Sequence, residues 1–373
     1  MNYYIIAGEA SGDLHASNLI KELKKIDQAA SFRCWGGDLM QKQGATLVRH
    51  YRDLAFMGFI EVIANLKTIF RNIEFCKKDL LAHRPDALIL VDYPGFNLRI
   101  AKFAKEQGIK VFYYISPQVW AWKQNRVHQI KKTVDRMFVI LPFEKEFYKR
   151  FDYDVDFVGH PLLDAIDQFR HFENDQWKKN HGLNDQQKIV ALLPGSRKQE
   201  INTMLPLMLD ASSGFKEVQF VVAAAPGISP EFYQTLTKNF NITIVINETY
   251  QLLSYADAAL VTSGTATLET ALFAIPEVVC YKGNLVSYQI AKRLIKVNYI
   301  SLVNLVMDRE VVKELIQHSL TVENLGKELN LLLFNDEKKK KLANDYADLK
   351  LRLGGGGASR KTSTIIYGAI SGK

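Results

Sequence analysis

Short runs of β-branched and aromatic residues alternate with longer helical patterns along the chain. In the first half the predicted strands are residues 3–7, 87–92, 110–115, 136–141 and 155–159. In the second half they are residues 188–193, 218–224, 242–246, 258–262 and 277–281. Each strand is separated from the next by enough chain for a crossover, which is typical of parallel sheets covered by helices. The pattern therefore predicts an α/β fold with two doubly wound parallel sheets.

A polar, charged stretch from residue 164 to residue 187 separates the two series of strands. The length of 373 residues suits two domains, and the Gly and Pro that flank His160 can fix a turn between them. We predict domains at residues 1–160 and 161–335, with a cleft between them and a helical segment, 336–373, that packs back on the first domain. We interpret His160 as structural, and the glycines at 354–357 as a helix break.

The balance of charge adds a class of partner to this picture. Lys and Arg number 48 against 40 for Asp and Glu, which favours an anionic partner such as phosphate, nucleic acid or a membrane surface. No nucleic-acid binding is expected, because the basic residues are dispersed and no recognition motif is present. Cys34, Cys76 and Cys280 have no paired spacing, so we expect neither disulfides nor a zinc site.

The chain enters its first strand directly, and no apolar run reaches the ~20 residues that span a bilayer. We therefore expect a cytoplasmic protein with peripheral membrane contact. An apolar helical stripe with extra apolar neighbours favours an acyl-chain or membrane surface over ordinary core packing. The stripe consists of Phe59, Ile60, Ile63, Leu66, Phe70 and Ile73, its apolar neighbours are Phe56, Val62 and Ile69, and the basic residues beside it are Lys67, Arg71, Lys77 and Lys78. A second basic group, Lys123, Arg126, Lys131 and Lys132, follows Trp120 and Trp122; it suits an anionic headgroup, or is a solvated helix face.

The loop after the first strand, AGEASGD, combines small residues with two carboxylates and runs into a helix. Glycines such as Gly12 permit close backbone approach, and the free amides at the helix start can hold an anion or a sugar hydroxyl. Glu9 would point into the crevice where α/β sheets bind ligands. A tight turn with Asp13 or Ser11 as N-cap is the alternative, and both interpretations stay open. The GxGxxG pattern is absent, which counts against a nicotinamide cofactor.

The apolar strand that begins at residue 87 ends abruptly in Asp92, before Tyr93, a Pro-Gly pair and Phe96. A carboxylate there lies at the same crevice, and partial shielding by Tyr93 and Phe96 would give it a pKa suited to a general base. An Asp at this position could equally cap the next helix, and the sequence does not separate the two roles.

Two junctions of the second half have the same strand, turn and helix arrangement. In LLPGSRKQEI, Gly195 and Ser196 precede Arg197 and Lys198 on the opening turn of a helix. Cations are unfavourable there unless an anion is bound, which predicts a diphosphate pocket over the alternative of two solvated charges.

The second of these junctions is TSGTATLETA, in which Ser263 and Gly264 precede a helix that Thr265 or Thr267 could cap. Glu269 could accept hydrogen bonds from ribose hydroxyls, or could supply a favourable charge near the helix N-terminus.

Eight short motifs occur in the order in which one family has them. They are AGEASGD, DYPGFN, SPQVWAW, LPFE, VGHPL, LLPGSR, SGTATLE and SLVNL. With these motifs the chain resembles the lipid A disaccharide synthases, glycosyltransferase family 19, over nearly its whole length. The resemblance implies the GT-B fold, with two Rossmann-like domains and an interdomain cleft. It implies inverting transfer of 2,3-diacylglucosamine from its UDP derivative to the 6-hydroxyl of 2,3-diacylglucosamine 1-phosphate, with no metal and no cofactor.

The resemblance also implies roles for individual residues. Asp92 corresponds to the catalytic base, and Glu9, Ser11, Gly12 and Asp13 to the acceptor or active-site loop. The residues that correspond to donor contacts are Gly195, Ser196, Arg197, Ser263, Gly264, Thr265, Glu269 and Asn304. Family members often carry a second acidic residue where this chain has Gly95, so we expect Asp92 to act without a second carboxylate at that position.

The implied partners are the two lipid substrates and the anionic inner face of the inner membrane, and a homodimer is one assembly that the sequence allows. Another UDP-sugar enzyme of the same fold, such as a UDP-N-acetylglucosamine 2-epimerase or the peptidoglycan N-acetylglucosaminyltransferase, is the nearest alternative. A nonenzymatic module that binds nucleotide sugars or anionic lipids is an alternative of a different class.

Overall fold

The computed structural model describes residues 1–53, 66–170, 176–284 and 298–372, and it divides the chain into two compact units. The first unit comprises Met1–Asp164 and Leu353–Lys373, and the second comprises Ala165–Arg352. The sequence places the boundaries after residues 160 and 335. By contacts, the helix Asp336–Arg352 belongs to the second unit, because it packs on the helices Thr265–Leu272, Leu302–Met307 and Val322–Phe334 of that unit.

The first unit is built on a seven-stranded sheet in the order β3-β2-β1-β4-β5-β6-β7, with every neighbouring pair parallel. Its strands are β1 (Asn2–Ala7), β2 (Ser31–Gly36), β3 (Thr46–His50), β4 (Ala87–Val91), β5 (Lys110–Tyr114), β6 (Arg136–Val139) and β7 (Asp156–Phe157). Its α-helices are α1 (Ala10–Ile26), α2 (Asp38–Lys42), α3 (Leu66–His83), α4 (Pro94–Glu106), α5 (Arg126–Thr133) and α6 (Pro142–Lys149), and a 3-10 turn covers Tyr51–Asp53. Helix α7 (Pro161–Arg170) contains the boundary between the units.

The second unit is built on a six-stranded parallel sheet in the order β10-β9-β8-β11-β12-β13. Its strands are β8 (Lys188–Leu193), β9 (Val218–Ala224), β10 (Thr243–Ile246), β11 (Ala258–Thr262), β12 (Glu277–Tyr281) and β13 (Lys313–Ile316). Its helices are α8 (Trp177–Asn180), α9 (Lys198–Ser212), α10 (Pro230–Thr237), α11 (Thr249–Tyr255), α12 (Thr265–Leu272), α13 (Leu302–Met307), α14 (Val322–Phe334) and α15 (Asp336–Arg352), with a 3-10 turn at Gln317–Ser319. The last helix of the chain, α16 (Ala358–Ser371), belongs to the first unit, where it packs on α1.

The strands that the hydrophobic pattern predicts are all confirmed, and the central ones are buried on both faces. Strands β4 and β11 are buried at every position, as parallel strands covered by helices on both sides must be. Strands β2, β3 and β13 were not predicted, because charged residues such as Arg33, Arg49 and Lys313 interrupt their apolar runs. These strands are stabilised by hydrogen bonds to a neighbouring strand, and the local sequence pattern carries no information about that neighbour.

In both sheets the chain reverses its direction of winding once. The reversal lies between β1 and β4 in the first unit, and between β8 and β11 in the second. Loops that leave neighbouring strands in opposite directions open a crevice at their carboxyl ends, and ligands of α/β proteins bind at such switch points. The fold therefore marks one candidate ligand site in each unit.

The glycine run near the C-terminus separates α15 from α16, which confirms the predicted helix break. A Cβ atom at Gly159 would lie 3.2 Å from the carbonyl oxygens of Leu353 and Gly355, so only glycine fits where these two segments pass each other. The backbone of His160 donates to the Leu353 carbonyl at 3.0 Å, and its buried ring accepts from the Leu162 amide at 3.3 Å. These contacts fit the structural role expected for His160. No helix among the described residues is long and apolar enough to cross a membrane.

Candidate active site

The switch point of the first unit brings Asp92 and Glu9 together, as their positions after adjacent strands predict. Ala7 of β1 pairs with Val91 of β4, so the loops that carry the two carboxylates leave the sheet side by side. The pKa of Asp92 is raised to about 6, chiefly by burial and next by the nearby negative charge of Glu9, while a hydrogen bond from the Tyr93 backbone amide offsets part of the rise. Asp92 is therefore mostly ionised at neutral pH and retains a high proton affinity, which suits a general base.

The backbone at Asp92 has an uncommon conformation. Asp92 has φ +44° and Tyr93 has φ +48°, so two successive residues other than glycine lie in the left-handed region. Ile115, directly after the neighbouring strand β5, has φ +66°, which is rare for a β-branched residue. Strain of this kind persists only where surrounding contacts enforce it, and it concentrates at functional sites.

The loop between β1 and α1 places its residues in different environments. Glu9 occupies the N-cap position of α1 without a side-chain cap hydrogen bond, and Glu9 and Ser11 are exposed. Gly12 is buried, and a Cβ atom there would lie 3.2 Å from the Cβ of Ala7. Neither Ser11 nor Asp13 is the N-cap that the alternative interpretation required. The loop thus presents Glu9 and Ser11 outward.

Asp13 acts within the fold. Its carboxylate accepts hydrogen bonds from the backbone amides of Gly37 at 2.8 Å, and of Leu39 and Met40 at 3.1 Å each. These amides open helix α2, so Asp13 satisfies the free donors of another helix. A direct acceptor contact through the Asp13 carboxylate would compete with these bonds.

Gly95 and Glu144 bear on the number of carboxylates at this edge of the sheet. A Cβ atom at Gly95 would meet no heavy atom within 4 Å, so space does not explain the absence of an acidic side chain there. Glu144, which we did not predict, is 1% exposed and accepts hydrogen bonds from the amides of Ile140 and Leu141. The pKa of Glu144 is raised to about 7, chiefly by burial; its hydrogen bonds partly offset the rise, and the charge of Asp92 adds a smaller upward contribution. A second carboxylate therefore lies within electrostatic reach of Asp92.

The switch point of the second unit begins with the turn at Gly195, which has φ +112°. The carboxylate of Glu200 accepts from the amides of Ser196 at 3.1 Å and Arg197 at 3.3 Å, and the Arg197 guanidinium lies 3.3 Å from it. Glu200 in the first turn of α9 supplies a negative charge at this helix start, so the two cations do not by themselves require a bound anion. The case for a phosphate site here therefore depends on the switch point and the family resemblance.

The second loop at this switch point follows β11. Ser263 donates a hydrogen bond to the Ile300 carbonyl at 3.2 Å, Gly264 is the N-cap residue of α12, and Thr265 begins the helix with its side chain exposed. The capping role expected of Thr265 or Thr267 is wrong, because Thr267 donates to the Gly264 carbonyl at 2.9 Å. The loop thus has an exposed, small-residue opening.

Glu269 lies in the middle of α12 and accepts a hydrogen bond from Tyr250 at 2.9 Å. Burial raises the pKa of Glu269, and the hydrogen bond from Tyr250 partly offsets that effect. The Tyr250 ring is held in turn by Phe169 and Phe273, at centroid distances of 5.5 and 5.2 Å. Glu269 therefore has a fixed orientation, which an acceptor for sugar hydroxyls needs.

Asn304 is fully buried, and its amide is saturated by the fold. Its nitrogen donates to the Val312 carbonyl and to Glu314, each at 2.9 Å. Its oxygen accepts from the amides of Val311 at 2.8 Å and Val312 at 3.0 Å. An amide can make four hydrogen bonds, so none remains for a nucleotide. In this arrangement the Asn304 side chain shapes the loop before β13.

The predicted membrane stripe is described in part. Phe56, Phe59, Ile60, Val62 and Ile63, and the side chain of Leu66, lie outside the described residues. Among the others, Ile73 is buried at 4% exposure, whereas Phe70 is 54% exposed. The guanidinium of Arg99 lies 5.5 Å from the Phe70 ring centroid, and Trp122 of the second group is 49% exposed beside Lys123.

Comparison with known proteins agrees with the family resemblance of the sequence. The family model described as "Lipid-A-disaccharide synthetase" matches residues 3–366. The chain belongs to this family. The lipid-A-disaccharide synthase of Trichlorobacter lovleyi is 39% identical over 98% of this chain and 97% of its own length. Lipid-A-disaccharide synthase 1 of Legionella pneumophila is 37% identical over 93% of this chain and 91% of its own length.

Solved structures confirm the GT-B fold class of this lipid-A-disaccharide synthetase family member. A UDP-GlcNAc 2-epimerase from Neisseria meningitidis bound to UDP-GlcNAc has a TM-score of 0.69 at 15% identity, with 100% of both chains covered. A calicheamicin glycosyltransferase has a TM-score of 0.62 at 14% identity, covering 100% of this chain and 98% of its own. Membership of the family makes the chain a glycosyltransferase of lipid A biosynthesis.

Proposed function

We propose that the chain transfers 2,3-diacylglucosamine from its UDP derivative to the 6-hydroxyl of 2,3-diacylglucosamine 1-phosphate, with inversion, to form a β-1,6 disaccharide. The observation that carries the proposal is Asp92: a shielded carboxylate with a pKa of about 6 at the switch point of the first unit, in a lipid-A-disaccharide synthetase family member. The first unit would bind the acceptor and the second the UDP-sugar donor.

The proposed step is a single displacement. Asp92 takes the proton of the acceptor 6-hydroxyl, and the oxygen attacks C1 of the donor glucosamine from the face opposite UDP. The bond between C1 and the diphosphate oxygen breaks, and UDP leaves with the electron pair. Cationic and backbone donors at Gly195, Ser196 and Arg197 would stabilise the charge that develops on UDP. Ser263, Gly264, Thr265 and Glu269 would hold the rest of the donor nucleotide.

The remaining predicted contacts fall into direct and indirect classes. Glu9 and Ser11, which are exposed, suit direct contact with the acceptor. Gly12, Asp13 and Asn304 are buried and would act by shaping their loops.

Substitution of Asp92 tests the role of the base. Asp92→Asn should fold and bind UDP but lose most turnover, because the amide cannot accept the proton. Asp86→Asn is the matched control, since Asp86 is exposed just before the opposite end of the same strand. Disaccharide formation from the two lipid substrates would be followed by mass spectrometry. Near-normal turnover of Asp92→Asn would reject Asp92 as the base.

The same assay separates the proposed reaction from its alternatives. A disaccharide phosphate and UDP should appear in equal amounts. Release of UDP without disaccharide would indicate hydrolysis or epimerisation, and binding without any product would indicate a nonenzymatic module. Either result would reject the proposed function.

We also propose that the protein acts at the inner face of the inner membrane. The support is a groove along α3, α4 and α5 that is rich in cations and flanked by the exposed Phe70. The groove is lined by the basic Lys77, Arg99, Lys102, Lys105 and Lys132 and by the acidic Glu74 and Glu106, so cations outnumber carboxylates although Lys77 pairs with Glu74. Such a surface suits anionic headgroups.

Flotation with phosphatidylglycerol vesicles tests this location, with phosphatidylcholine vesicles as the neutral control. Lys102→Glu should reduce binding to the anionic vesicles, because it places a negative charge in the groove. Equal binding to both kinds of vesicle would reject the electrostatic account.

A further inference from the structure

Two fully buried side chains hold the backbone of Asp92. The amide nitrogen of Asn97, in α4, donates to the Asp92 carbonyl at 2.7 Å and to the Val91 carbonyl at 3.3 Å. The hydroxyl of Tyr113, in β5, donates to the same Asp92 carbonyl at 2.5 Å. The Asp92 carbonyl thus accepts two hydrogen bonds from side chains that come from the two neighbouring elements.

The conformation that these bonds hold is one that a free chain disfavours. With φ values of +44° and +48°, Asp92 and Tyr93 would relax towards the usual negative φ if the carbonyl were released. Such a relaxation rotates the peptide plane and moves the carboxylate. The Tyr93 ring lies against Gly8, where a Cβ atom would be 2.3 Å from the ring, and it stacks on Phe96 at a centroid distance of 5.7 Å.

Asn97 and Tyr113 are both buried at their contact with the Asp92 carbonyl. Asn97 and Tyr113 are each 0% exposed, and the Tyr113 hydroxyl also interacts with the Asn97 amide. The Asn97 oxygen has no hydrogen-bond partner among the described residues, so the amide is used for its donors. A buried amide with one unsatisfied atom is costly, which is reason to expect a role beyond packing.

We propose that Asn97 and Tyr113 are positioning residues that fix the carboxylate of Asp92 in its productive orientation. This inference rests on the proposed function of Asp92 as the base. It assigns a role in the reaction to two residues that contact the backbone of Asp92 and not its carboxylate. A displacement of about 1 Å at a reacting group is enough to lower turnover by ~100-fold.

The test uses Tyr113→Phe and Asn97→Ala with Tyr3→Phe as a control. Tyr3 is equally buried in the same sheet and donates to Asp27 at 3.2 Å at the opposite end of its strand, so Tyr3→Phe removes a comparable hydrogen bond away from Asp92. We expect kcat to fall about 10-fold in Tyr113→Phe and ~100-fold in Asn97→Ala, with KM for the donor changed less than about twofold. Tyr3→Phe should leave kcat unchanged.

The same substitutions in an Asp92→Asn background separate positioning from general damage. Once the base is absent its orientation no longer matters, so each should change the residual turnover by less than about twofold. Equal losses in both backgrounds, or normal kcat in Tyr113→Phe, would overturn the inference. If Asn97→Ala does not fold, Tyr113→Phe alone decides. Failure of the proposed function is distinguishable, because the wild type would then form no disaccharide; failure of Asp92 as the base is distinguishable too, because Asp92→Asn would then keep its turnover.

Discussion

The carboxylate proposed as the base should destabilise the folded protein at neutral pH. Its pKa is raised from the ordinary value of 3.8 to about 6, chiefly by burial. A folded-state pKa above the unfolded value means that the folded protein binds the proton more tightly. The contribution of Asp92 protonation to the free energy of unfolding is therefore fully present below pH 3.8 and is lost as the pH rises through about 6.

The size of this effect follows from the pKa difference. Each pKa unit corresponds to about 1.4 kcal/mol, so ionised Asp92 costs the fold about 3 kcal/mol above neutral pH. Asp92→Asn removes the ionisation and keeps the shape, and asparagine tolerates the left-handed backbone as well as aspartate does. The variant that loses turnover should thus gain about 3 kcal/mol in free energy of unfolding above neutral pH, and little at low pH.

Urea unfolding of both proteins across this pH range would measure the difference, and Asp79→Asn is a control of opposite sign. Burial raises the pKa of Asp79, but hydrogen bonds from Arg33 and Tyr4 lower it more, so the net direction is downward. Asp79→Asn should destabilise the protein, and more so above pH 3.8 than below it. An Asp92→Asn variant that is less stable than the wild type above neutral pH, or equally stable at every pH, would refute the reasoning.

The other predictions concern affinity and stability. Arg197→Ala should weaken UDP binding, measured by calorimetry, and unchanged affinity would refute a donor role for Arg197. Glu277 is 1% exposed, both its carboxylate oxygens lack a hydrogen-bond partner among the described residues, and burial raises its pKa well above 4.5. Glu277→Met should raise the free energy of unfolding by about 1–3 kcal/mol, and this gain should grow as the pH rises above 4.5. A variant less stable than the wild type would contradict this account. Asn304→Ala should lower that free energy by about 2 kcal/mol or more at every pH, because the buried backbone groups of Val311 and Val312 lose the hydrogen bonds that Asn304 makes to them. A neutral result in urea unfolding would exclude the structural role. Burial lowers the pKa of His15 to about 4 and of His160 to about 3, so the unfolded chain binds protons more tightly at these residues and stability falls as the pH drops below 6.5. His160→Gln should reduce that loss of stability, and acid unfolding would measure it.

The position of the candidate site could be predicted from the sequence because it depends on strand ends. Apolar runs fix where β1, β4, β8 and β11 stop, and parallel strands align their carboxyl ends at one edge of a sheet. Glu9 and Asp92 follow two such ends, and their proximity is confirmed by the charge of Glu9 acting on Asp92.

The roles of individual polar side chains could not be predicted in the same way. Asp13 and Asn304 are of residue types that are common in binding sites. They instead accept hydrogen bonds from backbone amides that take up these positions only when α2 and the loop before β13 form. Glu200 pairs with Arg197 across one turn of helix at 3.3 Å, and this contact depends on where α9 begins.

By itself the sequence determined the two series of strands, the helix break at the glycines, the family and the placement of Asp92 at a strand end. These features follow from local periodicity and from motifs, which are properties of neighbouring residues. Tertiary structure decided the pKa of Asp92, its left-handed backbone conformation, and the hydrogen bonds that Asn97 and Tyr113 donate to its carbonyl. Proton affinity and strain depend on burial and on partners from other elements, and those exist only after the sheet has assembled.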